Sequence, residues 1–431
     1  MTLLLASFGG LLAIGVPIAL VIAGAGLLYI SISTDVPVEV VAQRMFVGLD
    51  DFTLMAIPLF IFAGYLMNEI GMTQRLLVLA RILIGKIFGG LAQITVVISM
   101  IFGGVTGAAS ADLAAVGIVM IPEMEKDGYK REFSTAMILA ASLMGAVLPP
   151  SIPFIIYAVQ SESSVGELFL AGVVPGIAIG LVIMVINVVL LKRQGYQTKG
   201  RGQAGAQDRK SLPGALRDAS IALLMPVVVI GGIVKGVFTP TEAAGIAVAY
   251  ALLAGFFVYR TLTPKRLYRV LGESANMSAV VMIIVVASAV LNWCLAYSQV
   301  PQKVADGMLA LTHSPVVFLI LVIILLLIVG MPLDPVPALI IMTPVLLPAA
   351  HAYGIDTVHF GVVMVLALTL GLATPPVGGS LFVAIAVGKV DMGRLSKAVL
   401  PYLGALLVLT LVVTFVPASY SWLPSIVDLG G

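Results

Sequence analysis

Two apolar stretches of this chain are too long for one helix across a bilayer, and both are interrupted at mid-length by helix breakers. Run 87–122 is broken at Gly103-Gly104-Val105-Thr106-Gly107-Ala108-Ala109-Ser110-Ala111-Asp112, and run 315–350 at Gly330-Met331-Pro332-Leu333-Asp334-Pro335. Two further runs, 134–160 and 359–388, carry proline pairs near their centres, Pro149-Pro150 and Pro375-Pro376. Proline removes a backbone donor and clashes with the preceding turn. In hydrocarbon the backbone must satisfy its own hydrogen bonds, so apolar runs are helices, and broken backbone is tolerated only against a cavity, an ion or protein. The expected fold is all-α, with two re-entrant hairpins and two helices broken at membrane depth.

The remaining apolar runs, about 2–32, 52–70, 167–191, 219–235, 240–259, 275–298 and 398–417, complete a polytopic membrane protein. Hydrophobic residues make up 60% of the chain and charged ones 10%, while a span takes about 20 apolar residues. A net charge of +2 excludes a nucleic-acid binder. A single cysteine, Cys294, excludes a disulfide scaffold and a cysteine-rich metal site. The first run has no basic leader and no convincing cleavage site, so it reads as a retained span.

The basic residues set the orientation. With both hairpins re-entrant and the N-terminus cytoplasmic, all of the 23 Lys and Arg except Arg44, Lys235 and Lys303 fall inside, as the positive-inside rule requires. Were the breaks mere kinks, these basic loops would be split between compartments. The polar stretch 192–217, with Gly195, Gly200, Gly202 and Gly205, is expected to be a cytoplasmic linker between two halves.

Those halves repeat each other. Asp112 stands to Pro122 as Asp334 stands to Pro344, and Gly128, Gly145 and Pro149-Pro150 are matched at the same spacing by Gly354, Gly371 and Pro375-Pro376. By the topology above, the first hairpin enters from the cytoplasm and the second from outside. The repeats are therefore inverted, the pattern of secondary transporters.

Half-helix C-termini suit cations and N-termini suit anionic groups. Each half offers one hairpin tip and one Gly-x-x-x-Pro-Pro break, so two Na⁺ sites of similar design are expected. The first joins Thr106, Ala109 and Ser110 to Gly145, Leu148 and Pro150. The second joins Gly330, Leu333 and Asp334 to Gly371, Thr374 and Pro376. Backbone carbonyls would supply most ligands. A carried carboxylate is expected between the tips, with Ser110, Asp112, Ser142, Ser151, Asp334 and Ser380 as candidates. Against these roles stands the habit of membrane Ser and Thr of bonding to their own backbone. For the two aspartates the competing role is a helix N-cap, although an unused charge at that depth is expensive. Glu242 reads as structural, in a helix start with Thr239 as cap and Pro240 at the first position.

Enzyme classes fare poorly. His313, His351 and His359 have no H-E-x-x-H spacing, and G-x-S-x-G and G-x-x-x-x-G-K-[ST] do not occur. No organic cofactor is expected, and energy must come from an ion gradient or another chain.

Several long motifs carry a resemblance. Val41-Ala-Gln-Arg-Met-Phe-Val-Gly-Leu-Asp50, Ile118-Val-Met-Ile-Pro122-Glu-Met, Leu148-Pro-Pro-Ser-Ile-Pro153, Gly236-Val-Phe-Thr-Pro-Thr-Glu-Ala-Ala244, Gly330-Met-Pro-Leu-Asp-Pro335 and Thr374-Pro-Pro-Val-Gly378 resemble the large membrane subunit of TRAP (tripartite ATP-independent periplasmic) transporters, over essentially the whole chain. The resemblance implies Na⁺-coupled import of a C4-dicarboxylate, sialic acid or another carboxylate across a bacterial or archaeal inner membrane. It also implies a periplasmic substrate-binding protein and a small four-helix membrane subunit, expected here as a separate chain. The implied mechanism is an elevator. Residues 87–160 and 315–388 would form the moving domain. Residues 1–86, 161–314 with the linker and a second arm, and 389–431 would be scaffold. The sequence departs from the family pattern at Val105-Thr-Gly-Ala-Ala-Ser110, where a more serine-rich tip is usual, and at Pro332, where a bulky apolar residue is usual. A self-sufficient carboxylate transporter of similar fold, needing no binding protein, remains the alternative.

Overall fold

The computed structural model describes residues 2–84, 87–196 and 212–426, and among them it contains helices and their connections only. The first half runs through α1 (Thr2–Ala13), α2 (Ile18–Ser33), α3 (Glu39–Val47), α4 (Ala56–Glu69), α5 (Met72–Ile84), α6 (Gly90–Thr106), α7 (Ala109–Lys126), α8 (Arg131–Ser142), α9 (Ile152–Ser161) and α10 (Val165–Arg193). The second half runs through α11 (Leu212–Val234), α12 (Pro240–Leu253), α13 (Pro264–Tyr297), α14 (Val300–Leu311), α15 (Pro315–Gly330), α16 (Pro335–Ala352), α17 (Thr357–Leu372), α18 (Gly379–Gly388) and α19 (Met392–Phe415), ending on the short α20 (Trp422–Ile426). Among the described residues, 7 helices are long and apolar enough to cross a membrane.

All four breaks expected from the sequence are present. The hairpins turn at 107–108 and 331–334, and the broken helices open between α8 and α9 and between α17 and α18. The Pro149–Pro150 and Pro375–Pro376 peptide bonds are both cis. The repeated glycines also have matching jobs. Gly128 (φ 94) and Gly354 (φ 69) end α7 and α16 in the left-handed conformation. Each closes the same pair of bonds, Gly128 N to Glu125 O with Tyr129 N to Met124 O, and Gly354 N to His351 O with Ile355 N to Ala350 O, the Schellman pattern that glycine favours. The Thr239 cap is a complete capping box: Thr239 N donates to Glu242 Oε2 at 2.8 Å and Glu242 N to Thr239 Oγ1 at 3.3 Å.

The structure corrects the first run. Residues 2–32 are two helices rather than one span, because Gly15 (φ 79) and Pro17 end α1, which folds back onto α2. Of the expected linker, 197–211 lies outside the described residues, and α10 and α11 take its ends.

The helices sort into two groups. In the outer group α4 packs on α12 and α13, α2 on α13, and α11 on α5. In the inner group the halves interlock: α7 packs on α18 and α16 on α9, while α8 meets α19 and α17 meets α10. The helices α10 and α19, expected with the scaffold, also pack on each other inside this group, where Tyr402 Oη donates to Asn187 Oδ1 at 2.6 Å, both buried. Chain order placed them with their neighbours in sequence; their apolar faces place them against the broken helices.

Candidate ion and substrate site

Each hairpin tip lies against the break of its own half, and glycines make the approach possible. A Cβ on Gly103 would stand 2.7 Å from Gly145 Cα. A Cβ on Gly104 would stand 3.3 Å from the Pro149 carbonyl oxygen, and one on Gly107, at φ 62, would stand 3.1 Å from that of Pro150. The first break thus turns two carbonyls toward the first tip. In the second half a Cβ on Gly330 would stand 2.6 Å from Leu368 O, and one on Gly371 would stand 2.7 Å from Leu327 O. Gly379 N donates to Met331 O at 3.1 Å, tying the second tip to the helix beyond its break.

Every break pairs a helix C-terminus with a helix N-terminus. The last carbonyls of α6, α8, α15 and α17 and the first N–H groups of α7, α9, α16 and α18 lack partners within their helices. The C-terminal ends carry partial negative charge and the N-terminal ends partial positive charge. Such a constellation can hold cations and a carboxylate side by side.

The expected first-site residues Ala109, Gly145, Leu148 and Pro150 are buried around the first tip, with Ser110 half-buried. The Thr106 side chain lies outside the described residues. Of the second-site residues, Gly330, Leu333 and Gly371 are buried, Thr374 is half-buried, and Asp334 and Pro376 are exposed. Asp334 caps α16, accepting from Val336 N at 3.3 Å, so the N-cap role weighed for it is real.

The substrate candidates divide. Ser142 donates to Leu139 O at 2.8 Å, and Ser151 donates to Ala146 O while accepting from Phe154 N. Both hydroxyls are spent on their own backbone. Ser380, second residue of α18, is buried with no partner for its hydroxyl, and Ser110 takes the same position in α7. Asp112 is not at the tip. It lies one turn inside α7, fully buried, with neither carboxylate oxygen hydrogen-bonded. Two further buried hydroxyls stand outside the sequence expectations. Ser99 on α6 and Thr369 on α17 are buried with unpartnered hydroxyls. No sequence signal separates them from the many back-bonded hydroxyls of this chain.

Comparison with known proteins agrees with this architecture. The chain is 37% identical over 97% of its length to the sialic acid TRAP transporter large permease protein SiaM of Vibrio cholerae, covering 96% of that protein. It is 36% identical over 98% of its length to the C4-dicarboxylate TRAP transporter large permease protein DctM of Rhodobacter capsulatus, covering 99% of that protein. It is 39% identical over 95% of its length to the isethionate TRAP transporter permease protein DctMQ of Oleidesulfovibrio alaskensis, of which it spans only 64%. The crystal structure of the Alcanivorax borkumensis YdaH transporter shares the fold, with a TM-score of 0.63 at 15% identity over 89% of this chain and 88% of that one. The family model for the tripartite ATP-independent periplasmic transporter, DctM component, matches residues 5–419, and this multi-pass membrane chain belongs to that family.

Proposed function

We propose that the chain is the permease of a Na⁺-coupled importer of an organic acid, a C4-dicarboxylate, a sialic acid or a related carboxylate. It works with a periplasmic substrate-binding protein and a small four-helix membrane subunit in the inner membrane, its N-terminus cytoplasmic. The observation that carries this reading is the seating of both glycine tips on both glycine-proline breaks, which collects helix ends of both polarities in each half.

One Na⁺ lies among Thr106, Ala109, Ser110, Gly145, Leu148 and Pro150, held mainly by carbonyls. A second lies among Gly330, Leu333, Asp334, Gly371, Thr374 and Pro376. The N-termini of α7 and α18, with Ser110 and Ser380, take the carboxylate. With both ions bound, the tips are fixed and the carboxylate's charge is balanced. The inner group, α6–α10 with α15–α19, moves as one body against the outer helices, because its halves interlock across α10 and α19.

Uptake of a radiolabelled organic acid into proteoliposomes tests this. The chain, its small subunit and a substrate-loaded binding protein should accumulate the acid only under an inward Na⁺ gradient. Uptake by the lone chain without binding protein would favour a self-sufficient transporter, and uptake driven by ATP without a Na⁺ gradient would overturn the reading.

A further inference from the structure

The seam between the inner group and the outer helices carries a polar contact that the repeat does not copy. Asn292 on α13 donates from Nδ2 to Gln160 Oε1, in the last turn of α9, at 3.1 Å. Both residues are half-buried, and Asn292 Oδ1 is buried without a partner. Elsewhere along the seam α13 packs on α16, and Phe60 of α4 meets Phe169 of α10 edge to face with ring centres 6.3 Å apart. Apolar contacts of that kind are non-directional and survive small changes of register. A hydrogen bond demands its own distance and angle, so it singles out one register.

Two other bonds leave the inner group and differ in kind. Arg81 on α5 pairs with Glu123 on α7 at 3.0 Å, and Tyr353 beyond α16 donates to Thr312 O beyond α14 at 2.7 Å. The helices α5 and α14 lead straight into the hairpins in chain order, so these bonds fasten each hairpin to its own connector. Asn292 and Gln160 instead join a helix of the second half to a broken helix of the first.

Their counterparts can be counted from the left-handed residues that end the matching helices. Glu162 (φ 54) ends α9 and Lys389 (φ 49) ends α18; two residues earlier stand Gln160 and Val387. Gln299 (φ 54) follows α13 and Gly71 (φ 77) follows α4; seven residues earlier stand Asn292 and Gly64. The matching pair, Val387 with Gly64, has no side chain able to hydrogen-bond.

We infer that Asn292 and Gln160 form a latch, which favours the position of the inner group in this structure over the opposite end of its stroke. Movement of α9 along α13 parts the two amides. By the symmetry of the repeat, the matching contact at the other end falls to Gly64 and Val387, which supply no bond in exchange. The bias is a modest one, because the Asn292 amide is held by its nitrogen alone. The inference rests on the moving-body reading above and adds to it an unequal resting population.

Pulsed electron spin resonance tests it, with nitroxides at Ile118 of α7 and Val227 of α11, both exposed, on a Cys294→Ser chain joined by its small subunit in lipid nanodiscs. The distances should fall into two populations. A hydrogen bond's net worth of about 1 kcal/mol corresponds to roughly fivefold in their ratio. Asn292→Leu and Gln160→Leu, which keep the side chains near their size, should each lower the share of the position in this structure by that factor. The double variant should lower it no further, since either change alone removes the whole bond. An unchanged ratio in either single variant overturns the latch, and so does a double variant whose shift is the product of the two. A wild-type distance that stays single whatever Na⁺ and substrate are supplied would instead sink the moving-body reading, and the latch with it.

Discussion

The two halves build the same parts and cover them differently. At the first break Gly145, Leu148, Pro149 and Pro150 are all buried, whereas at the second Pro376 and Val377 are exposed, as are Pro332 and Asp334 at the facing tip. The arms α6 and α7 pack on each other; α15 and α16 scarcely meet, with α17 along α15 and α14 along α16. The helix α5 lies on the entering arm α6, while its counterpart α14 lies on the leaving arm α16. The repeat is thus a symmetry of parts and not of contacts. A transporter built from inverted repeats needs this difference. In this structure the first break is covered and the second is open.

Glycine substitutions test that difference hardest. Gly103→Ala and Gly330→Ala place a Cβ 2.7 Å and 2.6 Å from backbone atoms of the opposing helix, which cannot step aside as a side chain end can. Overpacking of this kind costs about 1–3 kcal/mol, so both variants should lose uptake and melt earlier. The matched pair is more telling. A Cβ on Gly371 would stand 2.7 Å from Leu327 O, but one on Gly145 would find its nearest atom at 3.3 Å. Gly371→Ala should therefore abolish uptake while Gly145→Ala keeps a measurable rate. Equal losses in proteoliposomes would erase the distinction between the halves.

Much of this was legible in the chain, for reasons that single residues show. Pro149-Pro150 and Pro375-Pro376 announced breaks because no helix tolerates them in its interior. Gly128 and Gly354 marked the repeat by their spacing alone; that each ends a helix in the left-handed conformation glycine favours is seen only in the structure. Thr239, Pro240 and Glu242 declared their capping box through adjacent positions. What failed depends on three-dimensional neighbours. Residues 2–32 read as one span because apolarity outweighed the Gly15-Val16-Pro17 interruption. The grouping of α10 and α19 with the broken helices needed faces to be matched across the whole chain. Ser99 and Thr369 stayed invisible because a hydroxyl's partner cannot be read from its identity.

Accessibility measures the asymmetry directly. Val377 is 44% exposed and Leu148 8%. In a Cys294→Ser background, Val377→Cys should react with a membrane-impermeant maleimide about tenfold faster than Leu148→Cys, since thiol reactivity follows access. Na⁺ with substrate should slow the faster reaction. Comparable rates would show that the second break is no more open than the first. A smaller effect separates cap from ligand at Asp334. Asparagine caps a helix as well as aspartate does, whereas alanine forfeits about 1 kcal/mol. Asp334→Asn should keep its melting temperature and lose Na⁺ dependence, and Asp334→Ala should lose both. Wild-type Na⁺ titration in Asp334→Asn would leave the residue as a cap alone.

The smallest difference expected lies between two hydroxyls that are both bonded to their own helices. Ser142 before the first break donates to Leu139 O, and Thr374 in the second donates to Leu370 O, each at 2.8 Å. Ser142 is fully buried, whereas Thr374 is half-buried in the open break, where its carbonyl also accepts from Gly378 N at 3.0 Å. A hydroxyl already spent on the backbone contributes little to a carbonyl-built ion site, so Ser142→Ala should leave the Na⁺ titration within experimental error. Thr374→Val removes a group that can turn to an ion while the break stands open. A hydrogen bond's net worth of about 1 kcal/mol corresponds to roughly fivefold in affinity, and a shift of that size is the expected result. If Ser142→Ala shifts the titration as far as Thr374→Val does, then the Ser142 hydroxyl must leave its helix when the first break opens, and the cover over that break is shed in transport.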